Sequence, residues 1–262
     1  MSARTKNRRL SERPSQHTTH GMAACGQAVL YMVFLWVLCA SPMMVRAELA
    51  INKAIVPFDS PFERSKDIEV INTSTTEILY VDVEVMAVIN PGETQGLRST
   101  RGSVDPGLVA TPAKLAVPPG SRQVVRIMNL KPVDDVERVY RINFTPMLRP
   151  LSAESGLQGE TTQTMVQIVV AYQALVLIPP AEPEAIVDYK RHGQTVVFAN
   201  TGNANVLLRR GKQCDPSDSS VCVELTSRRV YPGRAVEFEV PYEGPLFFTL
   251  QSLRKIEQRE FL

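Results

Sequence analysis

Histidine is nearly absent from this 262-residue chain: there are three, and His17 and His20 both fall in its first 47 residues. His192, between Arg191 and Gly193, is the one imidazole in the remainder, so most acid–base and nucleophilic sites would lack their usual base. Also missing are an H-E-x-x-H, a G-x-S-x-G, a glycine-rich phosphate loop and a dinucleotide fingerprint. These absences argue against an enzyme and against a cofactor. The acids Asp134-Asp135 and the pair Asp215 and Asp218 stand near proline or serine, where solvated turn residues are expected rather than a catalytic or calcium site. Asn72-Thr73-Ser74 and Asn143-Phe144-Thr145 fit the glycosylation triplet, a pattern common by chance.

An excess of charge is missing too, once the start of the chain is set aside. The first 47 residues hold six of the 29 basic side chains and one of the 27 acidic ones, which leaves 23 against 26, a formal −3. A mildly acidic remainder with scattered charges gives no reason to expect nucleic acid or a polybasic membrane contact. The opening itself has the three parts of a secretory signal: a basic stretch to Arg13, an apolar run from Ala28 to Ala40, and Val45-Arg46-Ala47 at the exit. Cleavage after Ala47 is expected, which assigns 1–47 to a signal peptide and the rest to an exported compartment. The interval from Gly21 to Val45 lacks formal charge and is long enough for an uncleaved anchor, but Pro42 and its diluted ends favour the signal.

Cysteine is scarce as well. Cys25 and Cys39 lie in the leader, and only Cys214 and Cys222 follow. A lone, closely spaced pair in an exported protein is read as a disulfide, worth about 2–3 kcal/mol in the chain-entropy model. A metal site is disfavoured because no histidine or further cysteine stands near enough to complete four ligands.

What fills the chain from Glu48 onward is β-branched runs between Pro, Gly, Asn and Asp, with no convincing helical stripe. They are Leu49 to Val56, Asp67 to Ile71, Ile78 to Ile89, Leu108 to Thr111, Arg122 to Met128, Val139 to Phe144 and Thr164 to Ile178. Seven strands at this spacing read as an immunoglobulin-like sandwich, predicted over 48–178. Three prolines in Pro179-Pro180-Ala181-Glu182-Pro183 would break a ladder, so 179–185 reads as a hinge. A second, smaller sandwich is predicted over 186–262 from the runs Thr195 to Ala199, Val206 to Arg210, Val221 to Leu225, Ala235 to Val240, Leu246 to Gln251 and Leu253 to Glu260.

The run Thr164 to Ile178 exceeds the five or six residues of an average strand and holds no Pro, Gly or formal charge. Alternation places Val166, Ile168, Val170 and Tyr172 on one face and Met165, Gln167, Val169 and Ala171 on the other. A central strand buried on both sides explains this. So does a strand whose first part projects from the sandwich and offers apolar side chains to another protein. The polar stretch Leu148 to Thr162 before it is long for a hairpin loop, and suits either a segment that orders on a partner or a tolerated insertion.

Several stretches, in order, resemble one family. They are Ile89-Asn90-Pro91-Gly92, Gly107 to Pro112 leading to Val117-Pro118-Pro119-Gly120, Val125-Arg126-Ile127, Glu137 to Arg141, and the long strand through Ala171-Tyr172. Asn200-Thr201-Gly202-Asn203, the paired cysteines and Val230-Tyr231-Pro232 continue the match. Together they resemble the periplasmic chaperones of the chaperone-usher pilus pathway, in the alternate, alpha-class branch that serves colonisation-factor fimbriae. The resemblance implies an all-β chain of two immunoglobulin-like sandwiches in a boomerang arrangement, located in the periplasm, with pilus subunits and an outer-membrane usher as partners. It implies that Val166, Ile168, Val170 and Tyr172 form the strand donated to a pilus subunit, and that an exposed edge leaves self-association of the free chain open. It places the anchor for the terminal carboxylate of that subunit at Lys53, on the first strand. Where the better-known branch has a lysine late in the long strand, this chain has Leu175, and Pro179 replaces a companion arginine. Arg141 is then the substitute anchor, unless it pairs with Glu137. The competing reading is that the chain is itself a pilus subunit or adhesin, which should lack a closing strand and carry a free donor arm.

Overall fold

A computed structural model describes residues 48–93, 96–104, 106–131, 133–147 and 169–262. All regular structure among them is β, in accord with the fold class read from the sequence. The first ten strands are β1 (Leu49–Ile51), β2 (Ile55–Pro57), β3 (Ser65–Asn72), β4 (Leu79–Ile89), β5 (Gly96–Ser99), β6 (Leu108–Thr111), β7 (Lys114–Val117), β8 (Arg122–Asn129), β9 (Arg138–Pro146) and β10 (Tyr172–Ile178). One sheet runs β1-β3-β8-β6, and the facing sheet runs β2-β10-β9-β4-β5 with β7 also on β4. The alternation that predicts strands also sorts side chains: in β3 Ile68 and Val70 are buried between more exposed neighbours, and β4 buries Leu79, Val81, Val83 and Val85 in the same way. These residues meet Val125, Ile127, Ile142, Phe144, Ala174 and Val176 in one core between the sheets.

The first predicted run, Leu49 to Val56, is two strands rather than one. Residues 52–54 carry the chain from one sheet to the other, so that β1 pairs antiparallel with β3 while β2 pairs parallel with β10. The Asn52 side chain holds the crossing by accepting a hydrogen bond from Glu69 N at 2.9 Å. Asn72 is buried, and its amide donates to the carbonyls of Glu77 and Val117 at 2.8 and 2.9 Å, which makes it a structural clamp rather than a glycan acceptor.

The remaining strands are β11 (Val187–His192), β12 (Thr195–Asn200), β13 (Val206–Cys214), β14 (Cys222–Leu225), β15 (Arg228–Val230), β16 (Arg234–Glu239), β17 (Leu246–Gln251) and β18 (Ile256–Phe261). They form a sheet β11-β12-β16 against a sheet β14-β13-β17-β18 with β15 also on β13. Short, polar β11 and β15 were not legible as strands, since each has only one or two β-branched positions. Cys214 and Cys222 face each other across β13 and β14 and are disulfide-bonded. Asp215 and Asp218 lie in the loop the bridge closes, where each carboxylate accepts from a serine two residues on, Ser217 and Ser220. Gly211 sits where the β13 register shifts between Arg209 and Lys212, and any Cβ there would run into the Phe248 ring. His192 ends β11 at an exposed hairpin turn.

The core of the second sandwich is aromatic. Phe198, wholly buried, touches Phe238, Phe248, Phe261 and Tyr189 at ring-centroid separations of 5.7, 5.2, 4.9 and 5.3 Å. Phe198→Ala is expected to cost about 3–5 kcal/mol, read as a lower urea midpoint for the second sandwich with little change in the first.

Candidate binding surface

β10 is held by strands on both sides over only part of its length. β9 pairs with all of it, from Tyr172 opposite Phe144 to Ile178 opposite Arg138, whereas β2 covers only Leu175–Leu177. At Tyr172–Ala174 the side away from β9 therefore carries no strand among the described residues. Such an edge presents backbone groups that another strand can pair with.

The faces of β10 are sorted by alternation. Ala174, Val176 and Ile178 are buried in the core of the first sandwich, and Tyr172 packs against the edge of that core. Continuing the same face one step before β10 brings Val170, which is 40% exposed. Met147, Ile78, Tyr80 and Val169 are further exposed apolar side chains near this end of the sheet. Of the four residues expected to form the donated strand, Tyr172 is seen at the margin of the core, Val170 is exposed before the strand begins, and Val166 and Ile168 lie outside the described residues.

The opposite face of β10 is polar at its start. Gln173 Nε2 donates to Asn143 Oδ1 at 2.6 Å, and its Oε1 accepts from Arg141. Arg141 stands opposite Leu175 in the β9–β10 register. Lys53 is exposed in the crossing between β1 and β2, not on a strand, and its Nζ donates to the Asp67 carbonyl at 3.3 Å. The adjacent Ala54 carbonyl accepts from Leu175 N at 2.9 Å, so the backbone beside Lys53 meets β10 at the residue facing Arg141. Leu175 is thus flanked by the Ala54 backbone on one side and Arg141 on the other, while the Lys53 ammonium reaches across to β3. The expected alternative partner of Arg141, Glu137, is committed elsewhere: its Oε2 accepts from the backbone N of Asn205 at 3.4 Å and from the Asn205 side chain.

That contact belongs to the junction of the two sandwiches, which is built by several of the stretches that carry the family resemblance. Tyr231, 7% exposed, packs with Val139 and Leu177 of the first sandwich, with Val88 and Leu175 at the margin. Arg234 reaches Glu93 and, at 3.2 Å, Asn90 at the turn after β4. Gly92 there has φ of 91°, and a Cβ would stand 3.3 Å from the Tyr231 ring. Asn203 accepts from Glu184 N at 2.8 Å and donates to the carbonyls of Asp135 and Glu182, both at 3.1 Å, tying the segment between the sandwiches to the residues just before β9. Beside this junction lies a cavity of about 460 Å³, lined among others by Ile55, Leu177, Glu137, Asn205 and Arg229. None of these contacts was legible in the sequence, because each joins residues far apart in the chain. The signal was present only as the turn-rich stretches Asn90-Pro91-Gly92, Asn200 to Asn203 and Val230-Tyr231-Pro232.

No family model matches the chain. Among curated proteins it is 23% identical over 210 residues to a CFA/I fimbrial subunit of Escherichia coli, covering 79% of this chain and 86% of that one. It is 24% identical over 178 residues to a CS1 fimbrial subunit of Escherichia coli, covering 66% and 74%. Among solved structures, the class 5 fimbriae chaperone CfaA superposes with a TM-score of 0.57 at 22% identity, over 81% of this chain and 97% of that one. The Escherichia coli chaperone DraB gives 0.56 at 16% identity, over 82% and 97%. At these identities the likeness establishes the fold: two immunoglobulin-like sandwiches of the fimbrial-chaperone type.

Because Tyr231 is the large side chain of the junction core, Tyr231→Ala is expected to loosen the two sandwiches without unfolding either. The measurement is protease cleavage within 179–185, which should quicken while both sandwiches keep their unfolding transitions.

Proposed function

We propose that this chain is a periplasmic chaperone that captures pilus subunits by lending them a strand and delivers them to an outer-membrane usher. One observation carries the reading: the apolar Val170, two residues before β10, is exposed, next to a stretch, Tyr172–Ala174, whose edge has no partner on one side among the described residues. In sequence the same face continues through Ile168 and Val166. The fold shared with the fimbrial chaperones supports it, as does the chaperone–tip adhesin complex among the similar structures, with a TM-score of 0.55 at 23% identity. So does the absence of any chemistry in the sequence that a catalytic reading would need.

Physically, a pilus subunit without its last strand exposes an apolar groove and a row of unpaired backbone groups, both of which promote aggregation. Burying three or four of Val166, Ile168, Val170 and Tyr172 in that groove is worth about 5–10 kcal/mol before ordering costs. Ladder hydrogen bonds set the register. Lys53 and Arg141 anchor the terminal carboxylate of the guest, and a charge-assisted hydrogen bond there contributes roughly 1.5–3 kcal/mol.

The names of the two curated relatives favour a second reading, that the chain is a fimbrial subunit. Against it stands β10, in place between β9 and β2 in its own sandwich, where a subunit should lack a closing strand. Co-expression with candidate subunits and pull-down from the periplasm separates the two: a chaperone yields a soluble one-to-one complex, whereas a structural component is found in the fibre.

Val170→Asp and Ile168→Asp should each leave the purified protein folded and abolish capture, because an ionised carboxylate would have to enter the groove. Capture at the level of the unaltered protein would overturn the donor role. Lys53→Ala should lower the yield of complex roughly tenfold or more without changing stability. An unchanged yield would remove Lys53 from the anchor.

A further inference from the structure

Glu137 stands just before β9 at the seam between the sandwiches, and its carboxylate is largely enclosed. One oxygen accepts from Asn205 of the second sandwich, while the other, Oε1, is buried without a hydrogen-bond partner. Asn205 is itself buried, and its Oδ1 accepts from Arg229 on β15. A carboxylate placed so is poorly compensated, since burial penalises its charge and half of its acceptor capacity goes unused.

We infer that the seam is a proton-operated latch, in which protonation of Glu137 favours docking of the two sandwiches and loss of that proton loosens it. The device does not depend on the chain being a chaperone, but it would set the geometry of the surface beside Lys53 and Arg141 if it is one.

The charged and titratable groups around Glu137 fix the direction. From the second sandwich, Arg229 favours the ionised form through its charge, and the buried phenol of Tyr231 lies near both. From the first, Arg138 pairs with Asp134 and donates to Asn129 while its Nη1 is buried without a hydrogen-bond partner, and Arg141 donates to Gln173. The other ion pairs near the seam are Arg234 with Glu93 and Arg254 with Glu182, neither of which touches Glu137. Burial outweighs the Asn205 hydrogen bonds and the Arg229 charge, and pushes the Glu137 carboxyl up from 4.5 to about 7.

In the undocked state Glu137 faces water and titrates in the ordinary carboxylate range. The docked state therefore binds more protons than the undocked one between those two values. Docking is strongest below the lower value, weakens as pH rises through the window by up to tenfold per unit, and levels off above about 7. From pH 5 to pH 8 the docking equilibrium should fall on the order of a hundredfold.

The test uses the purified chain from Glu48 onward with no pilus protein present, so a failure to capture subunits would leave it untouched. Carbon-13 resonances of the Glu137 carboxyl, followed from pH 4 to 9, should show a midpoint near neutrality. Small-angle scattering should show the radius of gyration of the unaltered protein rising from pH 5 to pH 8 while that of Glu137→Gln stays constant. A midpoint near 4.5, or scattering profiles that change with pH equally in both proteins or in neither, would overturn the latch. Should Glu137→Gln fail to fold, the carboxyl titration and the scattering of the unaltered protein decide by themselves.

Discussion

The alternation of β10 constrains everything else about the first sandwich. Ala174, Val176 and Ile178 must point inward to fill the core, and the geometry of a strand then sends Tyr172 and Val170 along the same face whether or not their own domain can cover them. β9 extends to Phe144 opposite Tyr172 and ends at Pro146. Val170, two residues before β10, is exposed. In the proposed role, apolar side chains at this end of the strand find their cover in the core of a guest.

The second sheet edge matters as much as the apolar face. By switching sheets at 52–54 the first strand pair leaves β2 to cover only Leu175–Leu177, which caps the edge near the hinge and leaves it open toward Tyr172. A β2 three residues longer at its start would occupy the very backbone groups that a guest strand needs. The same crossing brings Lys53 alongside, so a single change of direction both ends the cover and delivers a cation to the place where the cover ends.

How much of this could be read in the sequence follows from the range of the interactions. Period-two runs are local, so the long strands β3, β4, β8, β9, β12, β13, β16 and β17 were legible from Ile, Val, Phe and Leu at alternate positions. Strands that owe their existence to a neighbour were not: Gly96–Ser99 and Lys114–Val117 are strands because β4 is long enough to pair with both. The cysteine pair was legible because two thiols eight positions apart in an exported chain have few other uses. The pairing of Glu137 with Arg141, weighed as the alternative to an anchor role for Arg141, does not form; Glu137 instead bonds to Asn205, 68 positions away and beyond any local pattern. Lys53 carries no local mark, and family resemblance alone pointed to it; Val170 stood out in the long uncharged run Thr164 to Ile178, and its exposure just before β10 gives that reading a physical setting.

Two different requirements meet at the hinge. A protein that hands on a bound partner without nucleotide or covalent chemistry must hold it by burial and ladder bonds alone, so release has to come from a competing strand rather than from stored energy. That scheme works only if the donor itself stays put while the guest is exchanged. The seam supplies the fixity, with Tyr231 packed on Val139 and Leu177, the strands directly behind Arg141 and Leu175. It also carries one poorly satisfied carboxylate in a place where a fully apolar contact would dock more tightly. Under the latch proposed above, Glu137 weakens the seam at neutral pH, a cost that fits a junction which has to yield as well as hold. In the proposed role, a donor strand flanked by such a junction would let the same backbone grip subunits of unequal shape without altering the register of the strand.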